Sequence, residues 1–509
     1  MVPALYPTGR PAESAGGAGF LGVHCRQAAG KIGRTLDRYH RPRSSVGTAE
    51  KTGHPTAIWF FFWGEFAERF SYYGMRVILF KYLIDALNMP RAQATEWQSL
   101  FKMACYFLPL LGGYLADRFI GKYWTIVGFS VPYVIGQLLI GFPDKVTLVL
   151  ALSLLAMGSG VIKPNISALL GQTYDQQRPG DKVLRANAFL WFYFAVNIGA
   201  TISMVFLPIL RDNFGYQVAF LFPAGFMALA LALFALGKKH YATETVGPAP
   251  SMSAEEKAEQ RKVLVKLLGV FGLVIFFWVV YEHNDNLWVA FAEDSIQRTL
   301  PGWLGGKTIA PDSFQWINGL GVLILVGFFQ WFWRKVDPTG TRVPQTTKVL
   351  VGFLFTGAAP GLLALAASQA GDGSKVSMLW IIAAYAFLTL GEVLLYGTML
   401  DLSYAYAPTR IKGFVTGCFL VTNGIANLVN SQYAKMYLGK LDEGESVTQT
   451  LGYGAKVLMQ DGHTVFRFRP DVFFGIDAAL CVGAAVAFFF VARQFNRGNA
   501  AAVVASPAQ

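Results

Sequence analysis

At 509 residues, 54% hydrophobic and 15% aromatic, with only 15% charged residues against a soluble norm near about 25%, the chain has the composition of a polytopic membrane protein. Its formal net charge of +12 would suit a nucleic-acid binder, but the Lys and Arg residues concentrate in the amino-terminal tail and in alternate loops, which is an orientation signal and excludes nucleic acid as a partner. Cys25, Cys105, Cys418 and Cys481 have no CxxC spacing and imply neither a disulfide framework nor a metal site.

Residues 1–56 are polar and rich in Gly and Arg, lack the apolar core of a cleavable signal peptide, and read as a disordered cytoplasmic tail. The glycines of GAGFLG at Gly17, Gly19 and Gly22 match a dinucleotide fingerprint, but no strand precedes them and no βαβ unit follows. The next stretch, IWFFFWGEFAERFSYYGMRVILF from Ile58 to Phe80, is long enough to cross a bilayer yet carries Glu65, Glu68, Arg69 and Arg76. At about 100° per residue these four, with Tyr72 and Tyr73, fall within an arc of roughly 140°. Each ionised group at the centre of a span costs about 2.5 to 3.5 kcal/mol if it faces lipid, so the arc must face protein or water. Ion pairs that merely hold the bundle together would also satisfy it; a charged wall along a substrate or proton pathway fits intramembrane ionisable groups better.

Apolar runs of spanning length recur at about 57–87, 95–116, 123–141, 146–170, 185–210, 217–237, 264–291, 312–334, 347–369, 377–404, 412–436 and 471–493, which makes twelve spans. The polar linker 238–262 divides them into an N-terminal six-helix bundle (57–237) and a C-terminal one (263–495), followed by a cytoplasmic tail, 496–509. Loops after even-numbered spans hold DRFIGK, QQRPGDKVLR, KKH and PTRIKG, so both termini are predicted to be cytoplasmic.

The intramembrane charges sort by span. Span 1 holds Glu65, Glu68, Arg69 and Arg76, span 4 holds Lys163, span 7 holds Glu282, His283 and Asp285, and span 10 holds Glu392 and Asp401. Lys102 and Asp477 break this period of three. Nested inverted three-helix repeats, with the first helix of each lining a central cavity, give such a period. By depth along the helices, Lys163 can meet Glu65, Glu68 or Glu392, and Arg76 can meet Glu282 farther out, which predicts two ionic latches at two heights. His283 reads more readily as hydrogen-bonded filler than as a proton relay, and Asp401 as a cap or a loop partner of Arg410.

GGYLADRFIGK, from Gly112 to Lys122, resembles the loop signature of the major facilitator superfamily at Gly113, Asp117, Arg118, Gly121 and Lys122. Asp117 and Arg118 are expected to cap helix ends and pair across the loop in a structural or gating role. More specifically, ExxERFxYYG from Glu65 to Gly74 resembles the hallmark of the proton-dependent oligopeptide transporter family. GSGVIKPNISALLGQTYD around Lys163, FYFAVNIGA around Asn197 and GEVLL around Glu392 agree with it, and the resemblance runs from about residue 57 to 495.

That resemblance implies an all-α major facilitator fold and a cell-membrane symporter that imports di- and tripeptides, with the proton as coupling ion, no other cofactor and a monomeric functional unit. It carries proton coupling to Glu65, Glu68, Arg69, Lys163 and Glu282. It carries recognition of the peptide carboxylate to Arg76 and Lys163 and of the amino terminus to Glu392, assisted by Asn197 and Asn318, with Tyr72, Tyr73 and Tyr106 lining the site. Arg76 and Glu282 would gate. The chain departs from the family at Cys418, where a Trp is usual, in EHNDNLW after Glu282, and at Tyr396, Gly397 and Asp401 in span 10. Another small anionic or peptide-like cargo therefore stays open, as does a transport-inactive peptide receptor. No HExxH or GxSxG motif supports an enzyme.

Overall fold

The computed structural model describes residues 53–505 apart from 245, 248–252, 339–341, 371–373, 407–411, 442–444, 452–454 and 461–462. The tail 1–52 with Cys25, the Asp401 side chain and Arg410 therefore lie outside the described residues.

The helices are α1 (Ala57–Asp85), α2 (Arg91–Leu115), α3 (Lys122–Leu139), α4 (Lys145–Gln177), α5 (Lys182–Leu236), α6 (Ala254–Tyr281), α7 (Leu287–Ser295), α8 (Trp316–Val336), α9 (Gln345–Ala370), α10 (Leu379–Tyr406), α11 (Lys412–Tyr433) and α12 (Pro470–Ala505). Two features turn this series into the twelve crossings expected from the sequence. Helix α5 is 55 residues long and turns at Gly215, whose φ of 82° suits a residue without a Cβ, so it supplies spans 5 and 6. Helices α6 and α7 together make span 7, and the break between them is a difference from the continuous helix expected.

A 3-10 turn at Glu282–Asp285 causes that break. Its physical reason lies in the Asn residues: Asn284 donates to the Tyr281 carbonyl (2.6 Å), and the Asn286 side chain accepts from the Leu287 amide (2.6 Å), capping α7. Short polar side chains compete in this way with the helical ladder.

Helix α6 begins ten residues before the expected start of its span. A capping box sets that start, with the Glu256 amide donating to Ser253 Oγ (3.1 Å) and the Ser253 amide donating to Glu256 (2.8 Å). Helix α4 is capped by Asp144, which accepts from the Thr147 amide (2.9 Å); that bond holds the carboxyl below its usual range. At the other end of the chain, α12 runs to Ala505, beyond the expected boundary at 495.

The stretch 437–469, expected to be a loop, instead carries the antiparallel sheet β3 (Ser446–Thr450), β4 (Ala455–Gln460) and β5 (His463–Phe468). A shorter parallel pair joins β1 (Ile296–Gln297) to β2 (Val376–Ser377). Among the described residues, eight helical stretches are apolar and long enough to cross a membrane by composition alone. The charge-bearing α1 is not one of them, although it has 29 residues and 20 of them are buried.

Close helix approach places the charged face of α1. A methyl group at Gly199 would sit 2.7 Å from the Phe66 carbonyl oxygen, and one at Gly112 would sit 2.7 Å from the Val161 Cα. Helix α5 therefore packs backbone to backbone against α1, and α2 against α4, as small residues allow in bundles driven by packing. Pro109 and Pro164 interrupt the hydrogen-bond ladders of α2 and α4 beside the central cavity.

Candidate functional site

Side chains from both halves enclose one cavity of about 260 Å³. Helix α1 contributes Glu65, Arg69, Tyr73 and Arg76, α2 contributes Tyr106, α4 contributes Lys163, and α5 contributes Asn197. From the other half come Tyr281 and Glu282, Asn318 of α8, Glu392 and Tyr396 of α10, and Asn423 of α11. Two residues expected on this wall are elsewhere. Glu68 and Tyr72 occupy the trailing edge of the α1 arc at about 100° per residue; Glu68 is fully buried, and Tyr72 belongs to the hydrophobic core.

Arg69 pairs with both carboxylates of its own helix, one guanidinium against two. Its Nε lies 3.0 Å from Glu65 Oε1 and also contacts Glu68, with all three side chains nearly inaccessible. Neither carboxylate is within ion-pair distance of Lys163. Among the described residues it makes no ion pair, and its ammonium sits 5.4 Å from the centroid of the Tyr106 ring. The inner latch expected between Lys163 and Glu65, Glu68 or Glu392 is therefore not formed. Glu392 is likewise without a cation among the described residues; it accepts from Asn318 Nδ2 (2.7 Å), and Asn318 Oδ1 accepts from the Tyr281 hydroxyl (3.4 Å).

The outer latch is formed, and it is larger than expected. Arg76 Nη2 lies 3.2 Å from Glu282 and 2.8 Å from Asp285. The fully buried Lys102 of α2 bridges the same two carboxylates at 2.9 Å each. Asn423 donates to the remaining oxygen of Glu282 (2.8 Å), and Gln98 donates to the Asp285 carbonyl (3.4 Å). Lys102, set aside in the sequence as an exception, is thus central to the cluster. Charge balance is the signal that would have found it: two carboxylates at 282 and 285 need two cations, and Arg76 is one.

Further pairs stack toward the end where α1 joins α2. Lys81 meets Glu293 (2.6 Å), Arg91 meets Asp294 and Glu293, Arg211 meets Asp312 (3.1 Å through Nη2), and Lys435 meets Glu96 (2.7 Å). Among the described residues, every ion pair that joins the two halves lies at this end, which we call the sealed end.

The other sequence exception, Asp477, meets His283. The imidazole Nδ1 is 2.9 Å from Asp477 Oδ2, Nε2 is 3.1 Å from Asn430 Oδ1, and the Tyr433 hydroxyl donates to Asp477 Oδ1 (2.9 Å). This buried network ties the α6–α7 break to α11 and α12.

Asp117 and Arg118 lie at the opposite end, in the π-helical turn Ala116–Ile120 after α2. Asp117 accepts from Lys122 of its own loop (2.6 Å), and Arg118 is exposed above the Phe119 ring. The expected helix cap comes from elsewhere: Glu244 of the linker accepts from the Lys122 and Tyr123 amides (2.9 and 3.0 Å) at the start of α3.

The model of one family, described as the POT family, matches residues 123–253 and 245–441. The chain belongs to the POT family. It is similar to the uncharacterized transporter YclF of Bacillus subtilis (25% identical over 464 residues, covering 79% of this chain and 90% of that one). It is also similar to dipeptide and tripeptide permease A of Escherichia coli K12 (26% over 433 residues; 75% and 84%) and to solute carrier family 15 member 1 of Homo sapiens (29% over 365 residues; 60% and 50%). Among solved structures, the POT family transporter PepTSo superposes with a TM-score of 0.72 at 26% identity, covering 87% of this chain and 99% of that one. A peptide transporter in complex with alafosfalin reaches 0.73 at 22% identity, covering 88% and 96%. The architecture is thus the major facilitator fold, and the chain is a multi-pass cell-membrane transporter rather than an enzyme.

Proposed function

We propose that this POT family member is a proton-coupled symporter that imports di- and tripeptides by alternating access, with both termini in the cytoplasm and the sealed end facing outward. The observation that carries this reading is a pair of cavity charges that make no ion pair among the described residues: Lys163 on the N-terminal wall and Glu392 on the C-terminal wall. A peptide is a zwitterion, so a cation on one wall and a carboxylate on the other orient its backbone and leave its side chains to aromatic surfaces such as Tyr73, Tyr106 and Tyr396.

Arg76 and Lys163 would take the peptide carboxylate, Glu392 with Asn318 the ammonium, and Asn197 the backbone between them. Glu65, Glu68, Arg69, Lys163 and Glu282 would couple the proton, because a carboxylate takes up a proton more readily when its cation leaves. One proton moved down 100 mV supplies about 2.3 kcal/mol and one pH unit about 1.4 kcal/mol. Asn423 and Leu420 line the cavity from α11 near Cys418; the missing aromatic wall there favours, as a second reading, another small anionic or peptide-like cargo on the same coupling machinery.

Uptake of labelled dialanine into proteoliposomes under an imposed pH gradient tests the main reading. Counterflow that vanishes in Glu65→Gln or Lys163→Ala is the expected result. Failure to move any dipeptide, with uptake of another solute, selects the second reading, and binding without either transfers the chain to the receptor class.

A further inference from the structure

The seal around Glu282 holds two cations and two carboxylates, and the connections alternate. Arg76 touches both carboxylates, and so does Lys102. Around them, α2 adds Gln98, α11 adds Asn423, and Tyr385 of α10 donates to the Asn284 carbonyl (2.7 Å); His283 turns away to Asp477. The two cations differ in one respect. Arg76 lines the cavity and is within reach of cargo, whereas Lys102 and Asp285 do not line it, and Lys102 is wholly inaccessible.

We propose that Lys102 and Asp285 form a second gate pair that sets the proton requirement of the seal: when Arg76 leaves to hold a cargo carboxylate, Lys102 stays with Glu282 and Asp285, and one proton from the facing solution restores neutrality.

The accounting follows from the four charges alone. In the closed seal they cancel. Arg76 and an anionic cargo group cancel each other in the cavity, which leaves one ammonium against two carboxylates in a buried site. An uncompensated buried charge is strongly unfavourable, so cargo capture and proton uptake are linked. The shared geometry also makes Glu282 and Asp285 equivalent in this respect, since protonating either gives a neutral remainder. Lys102 is a positioning residue: it touches neither cargo nor the cavity, and it holds the unprotonated carboxylate of the pair.

Removing Asp285 therefore changes the stoichiometry. In Asp285→Asn, departure of Arg76 leaves Lys102 against Glu282, already neutral, and no proton is required. In Lys102→Met combined with Asp285→Asn, only Arg76 and Glu282 remain, and departure of Arg76 again leaves one carboxylate that must bind a proton. Loss and rescue thus follow from charge, whereas damage to packing would accumulate.

The inference rests on the proposed anion-carrying, proton-coupled reading, and the test separates the two. Full-length protein in proteoliposomes is assayed for counterflow of labelled dialanine without a pH gradient and for concentrative uptake with one. If the wild type moves no dipeptide, the peptide reading has failed, and the same series is run with the anionic solute that it does concentrate. With a working wild type, Asp285→Asn should still exchange label but should concentrate it only to an inside-to-outside ratio of about one, and the double variant should regain concentration. Asp285→Ser serves in the same way if the Asn variant does not reach the membrane. Concentrative uptake by either single variant at the wild-type ratio overturns the inference, as does an exchanging double variant that stays at a ratio of about one.

Discussion

The sealed end and the central cavity treat charge in opposite ways. At the seal, Arg76, Lys102, Glu282 and Asp285 are paired twice over, and Lys81, Arg91, Glu293 and Asp294 form another layer outside them. In the cavity, Lys163 rests above an aromatic ring, and Glu392 accepts from Asn318 with no ion pair among the described residues. Lys102, Glu282 and Asp285 at the seal are buried, where an isolated charge is costly, whereas Lys163 is exposed to the cavity and Glu392 is half-buried. The seal pairs its charges one for one, whereas Lys163 and Glu392 make no ion pair among the described residues and are open to an incoming partner. Redundancy therefore belongs to closure, and incompleteness to binding.

The largest expected effect comes from attacking the redundancy. Lys102→Met leaves two buried carboxylates to one guanidinium and is expected to lower stability by about 3 to 5 kcal/mol, as breaking a buried pair does. The thermal unfolding midpoint in detergent measures it. Lys102→Met/Asp285→Asn should recover most of that loss; a double variant as unstable as the single would show that Lys102 acts through its packed stem and would break the comparison.

Next in size is Asp477→Asn, which removes a charge bonded to both His283 and Tyr433. A hydrogen bond to a charged group contributes about 1.5 to 3 kcal/mol, and the expected loss falls in that range, read in the same unfolding assay. Wild-type stability in this variant would mean that the α6–α7 break is held by its Asn caps alone.

The cavity charges should respond in the other sense. Glu392→Gln keeps the Asn318 hydrogen bond and removes only the charge offered to cargo, so stability should change by less than about 1 kcal/mol while KM for a dipeptide rises by about tenfold or more. Raised KM with unchanged unfolding would sharpen the contrast between regions. A stability loss equal to that of the seal variants would erase it.

How much of this was legible in the sequence depended on which physical rule applied. Spans of apolar residues and the polar arc on α1 gave the bundle and its cavity wall, because lipid forbids exposed charge. Arg76 against Glu282 followed from depth alone. Lys102 falls outside the period of three, and a period is blind to stoichiometry. The α6–α7 break was written in Asn284 and Asn286, but a hydropathy window averages over two polar residues. In 437–469 the Asp461–Gly462 dipeptide between alternating segments is a hairpin signal, but the segments are too short and polar to stand out beside spans of membrane length. Glu68 and Tyr72 needed the phase of α1 to within about half a residue's rotation, which neighbours fix and sequence does not.

The smallest expected effect lies at the end opposite the seal. Asp117 and Lys122 form a pair in which the carboxylate is 67% exposed, and solvent screens such contacts to between about 0 and 1 kcal/mol. Asp117→Asn should therefore leave the unfolding midpoint nearly unchanged, because Glu244 supplies the cap on α3. Transport is the sharper readout. If the loop only decorates α2 and α3, concentrative uptake by Asp117→Asn stays within about twofold of wild type, in keeping with its weak pairing. If Asp117 or Arg118 instead meets the C-terminal half when this end closes, uptake falls severalfold while stability holds, since the partner is engaged only in the other conformation. That combination would assign this loop the gating role its sequence suggests, and it would place redundancy of closure at both ends of the cavity.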